Sequence, residues 1–151
     1  MSQEITTICK LRIEDNKLLG GTDLDIVITQ SLLNKYFNGV DIFDIDDEVN
    51  RCIDEFITDL RLDLRYGGNE CLYTLAVLLE CINSSSDIIE FDNCLANNTP
   101  FNTSCSGFIM FILCQLEAGG FIFDTKYRQL TERGKLLIWL FRHFEFVDTA
   151  L

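Results

Sequence analysis

Apolar residues recur with a helical period through the middle of the chain. After Asp46 they fall every three to four positions, at Val49, Ile53, Phe56, Leu60 and Leu64. This spacing predicts an amphipathic helix of about five turns, and its acidic start lies where the helix dipole favours negative charge. Residues 71–81 are apolar on nearly every side and predict the buried central helix, and residues 87–95 predict a short helix after it.

The first forty residues mix strand and helix signals. Residues 5–13 alternate apolar and polar side chains, which predicts a half-buried strand. A helix capped by Thr22 or Asp23 is then expected to run to a stop at Gly39, although residues 26–28 are β-formers. This portion is therefore expected to contain both strand and helix.

The last third of the chain predicts the order helix, hairpin, helix. A helix over 105–118 should end at the two glycines 119–120, because glycine readily adopts the backbone conformation that ends a helix. Two short strands, 121–123 and 126–130, are expected to pair as a hairpin before a closing helix over 132–146.

A sequence phrase covers the hairpin and the helix ends beside it. It reads LEAGGFI at 116–122 and YRQLTERGK at 127–135. Residues 115–135 resemble the wing region of MarR-like and PadR-like winged-helix proteins, which often show a Y-x-LT-x-x-G phrase there. This chain has one extra residue before Leu130. The resemblance implies a winged-helix fold for the carboxyl-terminal half, and it also implies DNA binding.

The length of 151 residues suits one domain, since a chain of this size buries roughly 70% of its unfolded surface. We expect a single domain over 1–151, with an acidic strand and helix portion over 1–66 and a winged-helix-like portion over 70–148. The expected fold class is α+β and predominantly helical.

The cysteines and the apolar runs bear on where the protein resides. The chain has seven cysteines, which is an odd count, and its start does not resemble a signal peptide. These features favour a reducing compartment, in which we expect most of the cysteines to be small core residues. No apolar run reaches the roughly 18–20 residues that cross a bilayer. We therefore expect a cytoplasmic protein without membrane contact.

Charge is unevenly distributed along the chain. The net charge is −12, yet residues 101–151 hold five acidic and five basic residues. The first hundred residues therefore hold nineteen acidic and seven basic residues. Such an acidic portion repels nucleic acid and attracts basic protein surfaces. A basic protein partner is therefore expected, and homodimerisation remains open.

The helix before the predicted wing lacks the residues that DNA binding needs. Residues 104–115 contain no Arg or Lys, and Gln115 alone suits base readout. The wing holds a small basic patch made of Lys126, Arg128, Arg133 and Lys135. It is too small for a duplex, because useful affinity takes about six phosphate contacts. We expect a solvated face paired with Asp124 and Glu132, or a docking point for an acidic surface, and no specific duplex DNA binding.

The sequence shows no catalytic, cofactor-binding or metal-binding pattern. His143 is the only histidine, and no nucleophile, phosphate-binding or zinc-protease motif accompanies it. No cysteine pair has the CxxC spacing of a zinc site. The carboxylates of residues 41–47 lack the glycine and the bidentate glutamate of a calcium loop. We therefore expect a protein that is not an enzyme and that binds neither cofactor nor metal.

Two sets of residues are predicted to contact a partner. The first is a carboxylate cluster made of Asp41, Asp44, Asp46 and Asp47. The second is apolar and lies off the main buried face of the closing helix, at Leu136, Trp139 and Phe146. In the alternative, the acidic portion folds over the closing helix and buries Trp139 within the monomer.

These observations predict a non-catalytic, acidic protein-binding protein. The leading hypothesis is an inhibitor or immunity protein, or an accessory subunit of a bacterial or phage defence or conflict complex, that binds a basic protein. A winged-helix transcription regulator is the first alternative, implied by the resemblance. A viral helical decoy of a cell-death regulator is the second, suggested by size and buried helices.

Overall fold

Six α-helices make up most of the described chain. The computed structural model describes residues 5–6, 24, 26–60, 69–98, 106–125 and 129–144. The helices are α1 (Gln30–Tyr36), α2 (Ile45–Leu60), α3 (Asn69–Ser84), α4 (Ile88–Asn98), α5 (Ser106–Ala118) and α6 (Glu132–Phe144). Two short antiparallel strands precede them, β1 (Ile5–Thr6) and β2 (Val27–Ile28), with Ile5 opposite Ile28. The predominantly helical fold that the sequence predicts is confirmed.

α2 forms where the helical period predicts it. Its first turn carries three acidic residues, whose charges favour the amino-terminal end of the helix dipole. Its buried face contains the predicted apolar positions Val49, Ile53 and Phe56. The last predicted position, Leu64, lies outside the described residues.

α3 is the central helix of the core. All side chains from 75 to 82 are buried, including the polar Glu80. α3 packs against α4 and α6, and α6 packs in turn against α2. The prediction of a core helix over 71–81 is therefore confirmed for the side chains that the structure describes.

A buried ion pair joins α3 to α6. Arg142 Nε donates to Glu80 Oε2, and Arg142 Nη2 donates to Glu80 Oε1, both at 2.6 Å. The side chains of Arg142 and Glu80 are 2% and 3% exposed. Two parallel hydrogen bonds between full charges offset the desolvation that burial imposes on both groups.

α1 is shorter than the helix predicted over 22–39. Thr29 caps it by accepting the Leu32 N–H at 3.0 Å, so the helix begins at Gln30. The preceding β-branched residues pair with β1 instead of joining the helix, because branched side chains favour extended backbone. The predicted start of this helix is therefore wrong. The rest of the strand predicted over 5–13 lies outside the described residues.

The hairpin predicted between α5 and α6 is reduced to one antiparallel bridge in the described part of the chain. The bridge joins Ile122 to Leu130. Two hydrogen bonds flank it: the Phe123 N–H donates to the Gln129 carbonyl at 2.9 Å, and the Thr131 N–H donates to the Phe121 carbonyl at 3.1 Å. Residues 126–128 lie outside the described residues.

Contacts to the flanking helices limit this bridge. The Thr125 N–H donates to Glu117 Oε1 at 2.8 Å, which ties the chain back to α5. Thr131 caps α6, so the chain becomes helical immediately after the bridge. The two strands predicted over 121–123 and 126–130 are thus replaced, as far as the structure describes them, by a shorter contact that does not fit an extended wing.

The LT-x-x-G phrase holds the ends of α5 and α6 together. Leu130 forms the bridge, and Thr131 Oγ1 accepts the Gly134 N–H at 3.2 Å. The Thr131 hydroxyl also donates to the carbonyl of Gly120 at 2.5 Å. Gly120 turns the chain after α5 at a φ of +80°, which L side chains rarely adopt. These residues therefore have a structural role between α5 and α6 that does not depend on DNA binding.

One cluster of buried apolar side chains extends through both predicted portions of the chain. It includes Leu33 and Phe56 from the acidic portion, and Leu78, Leu113 and Trp139 from the other. Because α2 packs against α6, the acidic portion covers the closing helix. Trp139 is therefore buried within the monomer, as the alternative hypothesis predicts.

Candidate protein-interaction surface

Phe43 is an aromatic side chain that the fold presents to solvent. It lies in a 3₁₀ turn, Ile42–Asp44, directly before α2. Ile42 and Ile45 are each only 3% exposed, since residues three apart in such a turn share one face. Phe43 lies between them and is 71% exposed. Its buried neighbours thus hold a large apolar ring outside the core.

Four exposed carboxylates flank Phe43 along the chain, those of Asp41, Asp44, Asp46 and Asp47. Asp41 also shapes the turn, because its Oδ1 accepts the Phe43 N–H at 2.9 Å and its carbonyl accepts the Asp44 N–H at 2.9 Å. The structure thereby adds an aromatic residue to the predicted carboxylate cluster. These five residues are called the acidic patch below.

The side chain of Gln30 fixes the backbone that leads into the acidic patch. Its amide nitrogen donates to the Val40 carbonyl at 2.7 Å, and its amide oxygen accepts the Ile42 N–H at 2.9 Å. The side chain thus makes the pair of bonds that a neighbouring β-strand would make. Since Gln30 is the first residue of α1, this helix sets the position of the turn.

Arg51 is the basic residue that follows the acidic patch in α2, and it already binds other carboxylates. Its guanidinium contacts Glu48 Oε2 at 2.7 Å and Glu55 Oε1 at 2.5 Å, and it donates to the Asn38 carbonyl at 3.4 Å. The hydrogen bond with Glu48 raises the pKa of Arg51, which stays charged. Arg51 therefore pairs with glutamates of α2.

Two of the three residues predicted to form an apolar partner surface on the closing helix are buried. Leu136 and Trp139 are 0% and 2% exposed. Both α2 and α3 pack against α6, which leaves these two positions inside the core. This burial corrects the expectation that Leu136 and Trp139 contact a partner. Phe146 lies outside the described residues.

Arg133 belongs to an aromatic cluster and not to an exposed basic patch. Its guanidinium carbon lies 4.5, 5.0 and 5.9 Å from three ring centroids, those of Phe121, Phe56 and Tyr36. The rings attract the cation and join α1 and α2 to the start of α6. The prediction for Arg133 is thus corrected. Among the other predicted members Lys135 is half-buried, and two lie outside the described residues, Lys126 and Arg128.

Glu132 pairs with Lys35 of α1. Lys35 Nζ lies 2.8 Å from Glu132 Oε1, and the Tyr36 hydroxyl donates to the same oxygen at 3.2 Å. The hydrogen bond from Lys35 lowers the pKa of Glu132, and the same bond raises the pKa of Lys35. The start of α6 is therefore tied to the end of α1, a contact that the sequence does not indicate.

α5, the helix before the predicted wing, exposes apolar side chains. Met110 is 38% and Phe111 is 50% exposed, and the exposed Cys114 follows on the same face. Residues 106–118 contain no Arg or Lys. This helix therefore offers no cation to DNA phosphates.

Neither a metal centre nor a membrane span is formed by the residues that the structure describes. No group of three or more His, Cys, Asp or Glu side chains among them is arranged to hold a metal ion. Their helices also lack the combination of length and apolar content that a bilayer crossing requires.

The sequence indicates that Phe43 is exposed, but it gives no signal for the hydrogen bonds of Gln30. In IFDI at 42–45 the isoleucines are three positions apart, a spacing that marks the residues between them as exposed. The hydrogen bonds of Gln30 join positions ten and twelve residues apart, for which there is no local signal.

Comparison with known protein families, with curated proteins and with solved structures found no match to this chain. These comparisons therefore neither support nor oppose the winged-helix resemblance of residues 115–135.

Proposed function

We propose that this protein is a non-catalytic protein-binding protein whose acidic patch docks on a basic partner protein. The observation that supports this most directly is the 71% exposure of Phe43 between four exposed aspartates. An aromatic side chain with a charged rim has the composition of an interface hot spot, in which an apolar anchor is surrounded by polar groups.

The partner is expected to present an apolar pocket with Lys or Arg side chains around it. Burial of Phe43 in that pocket removes the ring from water, and the surrounding cations meet the aspartates of the acidic patch. Opposite charges accelerate association and select the partner, while the buried ring supplies much of the affinity. The net charge of −12 disfavours acidic partners and nucleic acid.

The biological role that we propose with this surface is that of an inhibitor or immunity protein, or of an accessory subunit in a bacterial or phage defence or conflict complex. Each of these roles requires binding and no chemistry, which agrees with the absence of a catalytic motif in the sequence. A cytoplasmic location belongs to the same proposal.

The two alternatives receive less support. A winged-helix transcription regulator needs cations on the helix before the wing, whereas Met110 and Phe111 occupy exposed positions of α5. A viral helical decoy of a cell-death regulator has only the helix content of the fold in its favour.

Photo-crosslinking from the acidic patch tests the proposal. One variant carries p-benzoylphenylalanine in place of Phe43, and a matched control carries it in place of Phe123, an aromatic residue that is also well exposed at 67%. Both proteins are irradiated in an extract of the source cells, and the adducts are identified by mass spectrometry. We expect a basic protein to be crosslinked from position 43 and not from position 123.

Titration of the purified partner then measures the role of the ring. Phe43→Ser should weaken binding about 30-fold, the ~2 kcal/mol of a hot-spot residue, and Phe123→Ser should leave affinity unchanged. Binding should also weaken as salt screens the charges. An acidic crosslinked partner, or equal affinity for Phe43→Ser and wild type, would overturn the proposal.

A further inference from the structure

Two cysteine thiols face each other between α3 and α4. Cys94 Sγ lies 2.7 Å from Cys81 Sγ, and the two residues are 13 positions apart. A disulfide bond is about 2.05 Å long, so the sulfurs would approach by roughly 0.7 Å to form one. A turn of three residues, 85–87, connects the two helices and keeps them adjacent.

The two thiols differ in their access to solvent. Cys81 is fully buried, whereas Cys94 is partly exposed. The Ser84 hydroxyl oxygen lies 3.9 Å from Cys94 Sγ. The hydrogen bond with Cys94 raises the pKa of Cys81, and burial raises it further. Because Cys94 is the partly exposed thiol, a dissolved oxidant reaches it first, and Cys81 reacts from inside the core.

We propose that Cys81 and Cys94 form a redox modification site, a dithiol that closes into a disulfide on reaction with a low-molecular-weight disulfide such as glutathione disulfide. This role goes beyond that of small core residues, which the sequence suggests for most of the cysteines. It is also independent of the acidic patch, which lies on different elements of the fold.

The reaction is a thiol–disulfide exchange. The Cys94 thiolate attacks one sulfur of glutathione disulfide, whose S–S bond breaks, so that a mixed disulfide forms and one glutathione thiolate leaves. Once Cys94 is a mixed disulfide, it no longer makes the thiol hydrogen bond that raises the pKa of Cys81. Cys81 then passes its proton to the departing glutathione sulfur while its own sulfur attacks Cys94 Sγ, so the second glutathione leaves as a thiol. The protein loses two electrons and two protons, and glutathione disulfide is reduced to two glutathione thiols.

The new bond would join α3 to α4 next to the buried ion pair. Cys81 follows Glu80 on α3, so the bond restrains the helix that binds Arg142. Closure of a loop of this length removes conformational freedom mainly from the unfolded chain. The oxidised protein is therefore expected to melt several degrees higher than the reduced protein.

Incubation of the folded full chain in glutathione buffers of stepped redox ratio tests the site. Because no Lys or Arg lies between Arg65 and Lys126, trypsin leaves five cysteines in one peptide. After alkylation of the remaining thiols, Glu-C cleavage at Glu80 and Glu90 and chymotrypsin digestion separate Cys81 from Cys94. We expect a crosslinked pair of peptides that contains these two cysteines, together with the loss of two hydrogens in the intact mass.

Three variants make the result specific. Cys94→Ala should abolish the reaction, and Cys81→Ala should stop it at a glutathione adduct on Cys94. Cys114→Ser removes an exposed cysteine of α5 and should leave the reaction unchanged. The proposal is overturned if glutathione modifies Cys114 while Cys81 and Cys94 remain thiols. Formation of the link only in denaturant, or a lower melting temperature after oxidation, would also overturn it.

Discussion

Gly134 of α6 lies against the carbonyl oxygen of Phe121, so close that a Cβ at position 134 would stand 2.1 Å from that oxygen. The obstructing atom belongs to the backbone and cannot rotate away as a side chain does. The start of α6 therefore packs on the turn after α5 only because position 134 has no side chain.

Gly134→Ala is expected to destabilise the protein by about 3 kcal/mol, the upper end of overpacking costs, because a backbone atom must move. Urea unfolding followed by circular dichroism measures this loss. Gly107→Ala is the matched control, since Gly107 is also helical but has nothing within 4 Å of its Cβ position. Because Gly107 is only the second residue of α5, this change should gain at most about 0.5–1 kcal/mol. Similar effects at both positions would contradict the role of the close approach.

Glu80→Gln is expected to cost about 3–5 kcal/mol, because it removes the carboxylate that balances the buried charge of Arg142. The double variant Glu80→Leu with Arg142→Met replaces the pair by apolar side chains of similar size and should recover most of that loss. Chemical unfolding of the wild type and both variants checks the prediction. A double variant as unstable as the single one would show that the ion pair itself stabilises the fold.

Trp139→Ala is expected to lower the free energy of unfolding by about 3–5 kcal/mol, because it leaves a cavity in the core. Leu75→Ala and Leu78→Ala on α3 should each cost about 2–5 kcal/mol for the same reason. Phe111→Ala serves as the control, since Phe111 is 50% exposed. Thermal and urea unfolding measure all four variants. A negligible loss at Trp139 would restore the prediction that this side chain contacts a partner.

Gln30→Ala is expected to destabilise the fold by about 1–3 kcal/mol, because the Val40 carbonyl and the Ile42 N–H lose their side-chain partner. Hydrogen exchange at the Ile42 amide should accelerate, and this readout is local to the acidic patch. Asn34→Ala removes only the exposed contact of Asn34 with Gln30 at 2.9 Å and should leave the exchange rate almost unchanged. Unaltered exchange in Gln30→Ala would contradict the assigned role.

The pair of Glu132 with Lys35 predicts a pH dependence of stability. Since the folded protein lowers the pKa of Glu132, the contribution of this group is present above the ordinary carboxyl value of 4.5 and is lost as pH falls through the lower folded value. The melting temperature of wild type should therefore exceed that of Glu132→Gln by a few degrees near neutral pH, and the difference should vanish in acid. The effect is small because the side chains are half exposed.

High salt provides the control for this pH dependence. At about 1 M salt the screening length is roughly 3 Å, so the difference between wild type and Glu132→Gln should shrink at neutral pH as well. A difference that persists at low pH and in high salt would mean that Glu132 stabilises α6 by another contact, such as the hydrogen bond from Tyr36.

The sequence predicts α2 and α3 well because each helix carries its own evidence. Val49, Ile53 and Phe56 repeat along one face, and no distant contact is needed to recognise the pattern. The start of α1 is different, since Thr22, Asp23 and Thr29 are all suitable caps. The choice among them depends on the pairing of β2 with β1, which lies far earlier in the chain.

Some features of the candidate site can likewise be predicted from the sequence, and others cannot. The carboxylates of the acidic patch are close together in the sequence, so their clustering is predicted directly. Arg133 is not predictable from its neighbours, because its position depends on rings at 36, 56 and 121, which no local pattern relates. The burial of Trp139 likewise depends on packing between helices that are distant along the chain.

The position of α6 also affects how the protein folds during synthesis. α6 packs against α2 and α3, and its Arg142 binds a glutamate made 62 residues earlier. A ribosome releases α2 and α3 first, with the apolar faces that α6 will cover still in contact with water. Exposed apolar helices of this kind promote aggregation of nascent chains. Until α6 has been made, we therefore expect the growing chain to need chaperones that bind unburied helices.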